Sequence, residues 1–466
     1  MTHRSSALVA ASLLSAVLGL ACGSSSSGAA AASSGTGGNA GAAGTSGTGG
    51  AAGAATTGAL SFHKDVRPVL EQKCAACHVP GGIGPFTLQT YADAFAHRAE
   101  IAGAVAARLM PPWPPNAACN TYGHDRSLTD AEIAAITGWT QAGAPEGDAK
   151  DYVPPTGAPQ GMSRVDRTVS APDPYTPVVG PDEYRCFVID WPETTTKYAT
   201  GFGVKPGNAA IVHHAIAFLA TPDILPNIEK LDADDAGPGY KCFGGIGDNK
   251  AGWIGGWAPG GLGDDFPAGT GIKIPAGSKI VLQIHYNTAN APPGPDQTQV
   301  MLKLDDTVAK EAAILKFTNL GWVTQKTMNI KANDPDSKQA FSVDASPYYG
   351  LTSGNVLPNN QPITLYSAAL HMHNRGTHGR LEITRADGTK DCALQIDDWN
   401  FHWQGSYGMT KPIVVNPGDK IGIECHFDNT AAKQPLINGV PMPVQDVNWG
   451  ERTEDEMCLG LFYATP

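Results

Sequence analysis

Five histidines sit in short, apolar, strand-like runs far apart in the chain: Val212-His213-His214-Ala215, Gln283-Ile284-His285-Tyr286 and Leu370-His371-Met372-His373. With Met457 near the end of the chain they divide into two three-donor metal sites, His213, His214 and His285 in one and His371, His373 and Met457 in the other. Donors so distant in sequence meet only if strands from remote segments become neighbours, which favours sheets over helices. On a strand, residues two apart share a face, so His371 and His373 are expected to project together and chelate one ion. Adjacent His213 and His214 point to opposite faces of a regular strand. Both reach one ion only if the backbone bulges there. An isolated histidine is ordinarily a satisfied polar residue, but the series His-His, His and His-x-His reads as ligation.

The surrounding sequence agrees with β structure. Runs from Ala210 to Leu219, Lys279 to Tyr286, Ile363 to His371, Arg380 to Arg385 and Lys420 to Phe427 are rich in branched or aromatic residues and bounded by Gly, Pro, Asn or Asp. The chain is rich in turn formers, with 55 Gly and 36 Pro among 466 residues, and only 16% of it is charged. No long helical period appears after residue 165, so a mainly β, sandwich or jelly-roll architecture is expected. The stretch is too long for one sandwich of roughly 100 residues. A split near residue 313 gives two tandem domains, 151–312 and 313–466, each with one donor set.

Upstream, Cys74-Ala75-Ala76-Cys77-His78 reads as covalent haem c attachment, both thiols bonding the haem and His78 serving as proximal ligand. The run Phe62–Leu70 leads into it with a helical pattern. Met110, in Arg108-Leu109-Met110-Pro111-Pro112-Trp113, is the expected sixth ligand, its loop held out of helix by the prolines. His97 and His124 are weaker candidates and read as surface residues. Thr129 and Glu132 form a capping box opening a helix through Ala142. Residues 60–150 resemble the small all-α class I cytochrome c domains, and Gly143–Glu146 with Pro154 and Pro155 mark a linker.

The N-terminus reads as an export signal, residues 1–22. Its apolar run, Ala7–Ala21, is shorter than the roughly 20 residues a bilayer span requires. Leu18-Gly19-Leu20-Ala21-Cys22 resembles a bacterial lipobox with Cys22 as the diacylated residue; ordinary signal cleavage is the alternative. Residues 23–59, nearly all Gly, Ala, Ser and Thr, are expected to be a flexible tether. The expected location is a lipid-anchored periplasmic or outer-membrane lipoprotein of a Gram-negative bacterium. A formal charge of −12 excludes nucleic acid as a partner. Of nine cysteines, Cys22 goes to lipid and two to haem; the even remainder suggests disulfides, with 15 formal pairings.

Ligand type narrows the metal. A thioether is a soft donor that suits Cu(I), and imidazole serves copper in either oxidation state. Read alone, a methionine such as Met457 is more often core filling. Its flank decides. The motifs VHHAIAF (212–218), WAPGG (257–261), IVLQIHYN (280–287), LHMHNRG (370–376), DDWNFHWQ (397–404), VNPGDKI (415–421), CHFDNT (425–430) and DEMCL (455–459) occur in family order across residues 180–466. The stretch resembles the copper type II, ascorbate-dependent monooxygenases.

The resemblance implies two jelly-roll domains with one copper each. His213, His214 and His285 would hold the electron-supplying copper, and His371, His373 and Met457 the copper that meets O2 and substrate. The implied activity inserts one oxygen atom into an unactivated C–H bond, the other atom leaving as water. Gln283 matches a family glutamine invoked in electron delivery; a cross-strand hydrogen bond is its simpler role. The resemblance also implies the pairs Cys425–Cys458 and Cys186–Cys242. Cys119 and Cys392 then either pair, clamping the haem segment to the second copper domain, or stay separate buried thiols.

Ala369 stands where peptide-amidating relatives carry the arginine that binds a substrate carboxylate, and Leu459 and Leu461 replace polar residues. A small neutral, partly hydrophobic or aromatic substrate is therefore expected, with the haem segment relaying electrons from an external donor. The alternative is a haem- and copper-binding electron-transfer protein without oxygenation. Two complete donor sets speak against it.

Overall fold

Two sheets share one apolar core between residues 167 and 311. One is ordered Tyr240–Lys241, Asp182–Asp190, Lys279–Asn287, Val212–Ala220, Gly252–Trp257. The other is ordered Arg167–Ser170, Gln299–Asp305, Lys197–Lys205, Thr270–Ile274, Lys310–Glu311, with Asp264–Asp265 pairing to Lys197–Lys205. Phe187, Ile189 and Leu282 of the first sheet meet Val169, Phe202 and Leu302 of the second. Side chains this deeply buried each stabilise the fold by roughly 1.5–3 kcal/mol relative to exposure.

This computed structural model describes residues 59–466 apart from 81–83, 157–160, 290, 438 and 453. The leader, Cys22 and the tether up to residue 58 lie outside the described residues. Strand exceeds helix, 34% against 17%, which makes the protein mainly β. One expectation needs correction: the sequence after residue 165 is not β throughout. A ten-residue helix, Leu225–Asp234, packs Ile224, Ile228 and Leu231 with Cys186, Phe218 and Val281 of the first sheet. Those strands are therefore covered on both faces.

The chain leaves the first sheet pair at Ala312. Lys310–Glu311 pairs in parallel with Thr270–Ile274, and Ala313–Phe317 pairs antiparallel with Leu459–Thr465. Two four-stranded sheets follow. One is ordered Ala313–Phe317, Leu459–Thr465, Ile363–His371, Tyr407–Val415; the other Ser337–Val343, Lys420–Phe427, Gly376–Thr384, Lys390–Ile396. Leu365, Ile413 and Phe462 pack against Leu381, Leu394 and Ile423. The C-terminal strand runs inside its sheet, so Met457 stands two residues before a strand held on both sides.

Residues 62–150 are helical. A π-helical turn, Phe62–Val66, continues as Arg67–Lys73, followed by Tyr91–Ala96, Arg98–Ala106 and Asp130–Gln141. Thr129 and Glu132 form the expected capping box. Phe62, Leu70, Ile101, Ile136 and Trp139 make the core. Gly143–Glu146, read as linker, instead closes that core. Ala144 is buried, and the Pro145 carbonyl accepts from Phe62 N–H (2.9 Å) and Trp139 Nε1–H (2.9 Å).

The loop between the last two helices reaches both β halves. Tyr122 Oη donates to the Ala393 carbonyl (3.0 Å), Gly123 N–H to the Gly408 carbonyl (2.8 Å) and Arg126 Nη1 to the Gly260 carbonyl (3.0 Å). His124 is exposed, as read from the sequence, with Nε2 3.4 Å from Asp264 Oδ1. The six remaining cysteines are paired Cys119–Cys392, Cys186–Cys242 and Cys425–Cys458. The first of these resolves the open alternative for Cys119 and Cys392 in favour of a pair.

Candidate functional site

The first donor set rests on a bulge. Val212 is opposite Tyr286 and His214 opposite His285, so His213 is an extra residue with no cross-strand partner. The regular alternation breaks there, and both rings turn toward His285. Nδ1 of His213 lies 3.3 Å from Nδ1 of His214, and Nδ1 of His285 lies 3.4 Å from the same atom. The His285 ring is held from behind by Asp182 Oδ1, 2.8 Å from its Nε2, and Tyr184 stacks on it at 4.2 Å. With Nε2–H donating to that carboxylate, Nδ1 of His285 presents its lone pair inward. Burial, then the neighbouring imidazole of His285, holds His213 and His214 well below the usual histidine range. The three Nδ1 atoms converge at long contacts, 3.3 and 3.4 Å, with the lone pair of His285 Nδ1 among them. A metal ion satisfies all of them, and the donor chemistry fits copper.

The second set uses the other ring nitrogen. His371 Nδ1 is 2.5 Å from Gln404 Oε1, and His373 Nδ1 is 3.1 Å from the Asp455 carbonyl. Both acceptors fix Nδ1 as the protonated nitrogen and leave Nε2 as the donor. The two rings stand 5.1 Å apart at 80°. Burial lowers His371 to about 4 and His373 to about 3, so both are neutral ligands at neutral pH.

The i, i+2 expectation is met with a modification. The strand ends at His371, and His373 lies just beyond it. The cause is Glu456, whose carboxylate accepts the backbone N–H of His373 (2.8 Å) and of Arg375 (2.6 Å) and turns the chain. Burial pushes Glu456 up to about 7. Met457 follows directly, is buried, and is stapled from behind by Cys425–Cys458.

The two sets face each other. His214 and His371 ring centroids are 6.4 Å apart, and Phe401 stacks on His213 at 4.3 Å while its edge meets His373 at 5.8 Å. One cleft of about 2120 Å³ is lined by His214, His371, His373 and Met457. Ala369, Leu459 and Leu461 also line it, which makes the stretch of wall beside His371 apolar where a carboxylate-binding arginine was absent from the sequence. Gln283 donates to the Cys242 carbonyl at 3.1 Å, a hydrogen bond that holds it in the first sheet's surroundings. The residues missed in sequence are Asp182 and Tyr184, while Phe401, Gln404 and Glu456 lay inside quoted motifs with no role assigned.

In the helical part, Cys74 and Cys77 are the two free cysteines. Burial pushes the Cys74 thiol up to about 12 and also raises Cys77, which is opposite to the depressed values of redox thiolates. His78 Nδ1 lies 2.9 Å from the Phe86 carbonyl, leaving Nε2 as the available donor. A Cβ on Gly84 would come within 2.7 Å of His78 Nδ1, so the ring is cradled tightly. These features fit a proximal ligand beside two attachment thiols. Met110 is half-buried after the helix Arg98–Ala106, and none of the hydrogen bonds or ring contacts among the described residues joins it to His78. His97 stacks on Phe86 at 3.8 Å.

Residues 335–464 match the family model of the copper type II ascorbate-dependent monooxygenase C-terminal domain. The matched segment contains His371, His373 and Met457. It supports copper as the metal, an oxidoreductase as the kind of enzyme, and a small-molecule substrate with O2 as its reactants. Among solved structures, the T13 particle of infectious bursal disease virus is 11% identical, covering 64% of this chain and 68% of that one, with TM-score 0.16. Bacillus subtilis oxalate decarboxylase at pH 4.6 is 6% identical, covering 61% and 80%, with TM-score 0.12. Likeness this slight says nothing about fold or function.

Proposed function

We propose that the protein is an exported copper-dependent monooxygenase that hydroxylates a C–H bond of a small organic molecule with O2. The observation that carries this reading is that a three-imidazole set and an imidazole–imidazole–thioether set face each other, with His214, His371, His373 and Met457 lining one cleft. In this reading 151–312 and 313–466 are jelly-roll domains, each with one copper-holding set, and 60–150 is a cytochrome c domain. Residues 1–22 are the export signal with Cys22 as lipid anchor.

When bound, copper supplies one-electron redox chemistry and activation of O2. The chain supplies the rest. His213, His214 and His285 offer three Nδ1 donors at the foot of a bulged strand, with Asp182 keeping His285 in the right tautomer. His371 and His373 offer Nε2, oriented by Gln404 and the Asp455 carbonyl. Met457 adds the soft donor that favours Cu(I). Leu459, Leu461 and Ala369 exclude water and accept a neutral, partly hydrophobic or aromatic substrate beside that set.

Cys74, Cys77 and His78, with Met110 as sixth ligand, would hold a haem c and accept electrons from an external donor. The support for this inlet is positional. Cys119–Cys392 ties the helical segment to the strand Lys390–Ile396, and Trp113, whose ring meets Tyr407 edge-on at 5.4 Å, lines the cleft. The test is Met457→Ile in copper-loaded protein, assayed by oxygen uptake against a panel of small aromatic and aliphatic compounds. Substrate-dependent uptake should vanish while haem absorbance and circular dichroism persist. Unchanged uptake contradicts the assignment.

A further inference from the structure

A separate group of donors lies on the outer face of the sheet that runs Ser337–Val343, Lys420–Phe427, Gly376–Thr384, Lys390–Ile396. On the strand Lys420–Phe427, Ile423, Cys425 and Phe427 face the core. Alternation therefore turns Glu424 and His426 outward. His378 sits directly across from His426 on one neighbouring strand, and Lys338 on the other. The two imidazoles stack at 3.9 Å and 20°. Asp336, just before its strand, places Oδ1 2.6 Å from His426 Nδ1, and Glu424 places Oε1 3.0 Å from His426 Nε2. One ligand atom from each of Asp336, His378 and His426 lies within 4.8 Å of the other two.

We propose that Asp336, His378 and His426 form a third metal site, distinct from both cleft sets, that takes a zinc-class divalent cation. The physical argument has three parts. First, two imidazoles and a carboxylate oxygen are the borderline donors that zinc accepts, and the group lacks the thioether that marks the Met457 set. Second, His378 and His426 come from neighbouring hydrogen-bonded strands and Asp336 stands directly before a third, so their backbones are held in register. Third, the pocket already gathers negative charge: Asp336 Oδ1 lies beside one ring nitrogen of His426 and Glu424 Oε1 beside the other. Thr377 Oγ1, 3.1 Å from His378 Nδ1, leaves Nε2 of His378 as its ligand atom. The bound ion would pin three strands on the outer side of the sheet whose inner side carries Cys425.

The test adds Zn2+ alone to the full-length, copper-loaded protein. Zinc is measured per chain after gel filtration, and binding heat by titration calorimetry. The expected result is one zinc per chain beyond the copper. His378→Gln should weaken binding about a hundredfold and Asp336→Asn about tenfold. Copper content and oxygen uptake should stay unchanged in both. The proposal is overturned if no zinc is retained, or if both variants bind zinc as the parent does, which would be adventitious surface binding only. Asp336 is exposed, so Asp336→Asn decides the matter even if His378→Gln fails to fold.

Discussion

The two cleft sets use the same side chain in opposite ways. In the first, Nδ1 atoms turn inward, and a carboxylate holds His285 by Nε2. In the second, Nδ1 atoms are tied to Gln404 and a backbone carbonyl, and Nε2 points inward. Nδ1 is the ring nitrogen nearer Cβ, so the first set draws an ion close to its bulged strand. Nε2 is the farther one, so the second set pushes an ion outward, toward the cleft and its apolar wall. In the proposed reading the near set stores an electron and the far one meets O2 and substrate.

The strongest way to break this division is Met457→Ile, expected to lower turnover at least about a hundredfold while the first set keeps its copper. Equal loss of copper from both sets, read by metal analysis, would dissolve the distinction. Next come the staples. Cys425→Ser with Cys458→Ser should cost about 2–4 kcal/mol in denaturant unfolding, and so should Cys186→Ser with Cys242→Ser. Only the first pair should disturb ligation by Met457, seen as a changed spectrum of the second copper.

Smaller effects come from the residues behind the rings. Asp182→Asn should weaken copper binding at the first set by about 10–100-fold and leave the second alone; Gln404→Leu should do the reverse. Competition with a graded chelator measures both. Smallest is Glu451→Gln. Burial raises the Glu451 carboxyl from 4.5 to about 7. The unfolded chain therefore gives up this proton first, and native stability falls as pH rises from about 4.5 through 7. The variant should gain on the order of 1 kcal/mol at pH 8 and nothing at pH 4, in urea melts at the two values.

The placement of the candidate donors was legible in the sequence because spacing carries their geometry. His371 and His373 announced a shared face, and the pair His213-His214 announced the bulge it required. The residues that orient them were not. Asp182 and Tyr184 lie on a strand about a hundred residues from His285, and Phe401 reaches His213 from the other sheet pair. Such contacts depend on register and domain packing, which local pattern does not encode. The Cys119–Cys392 pair stayed open for the same reason, since thiol counting allows many pairings and only folded distance selects one. The helix Leu225–Asp234 was readable from Ile224, Ile228 and Leu231 at i, i+4 and i+7, but its brevity and flanking β runs masked it.

The central claim is that one copper is held by nitrogen alone and the other by nitrogen plus the Met457 thioether. X-ray absorption on the reduced, copper-loaded protein tests it directly. The account predicts two coppers per chain and one copper–sulfur shell that disappears in Met457→Ile. A single copper per chain, or a sulfur shell that survives the substitution, would contradict it.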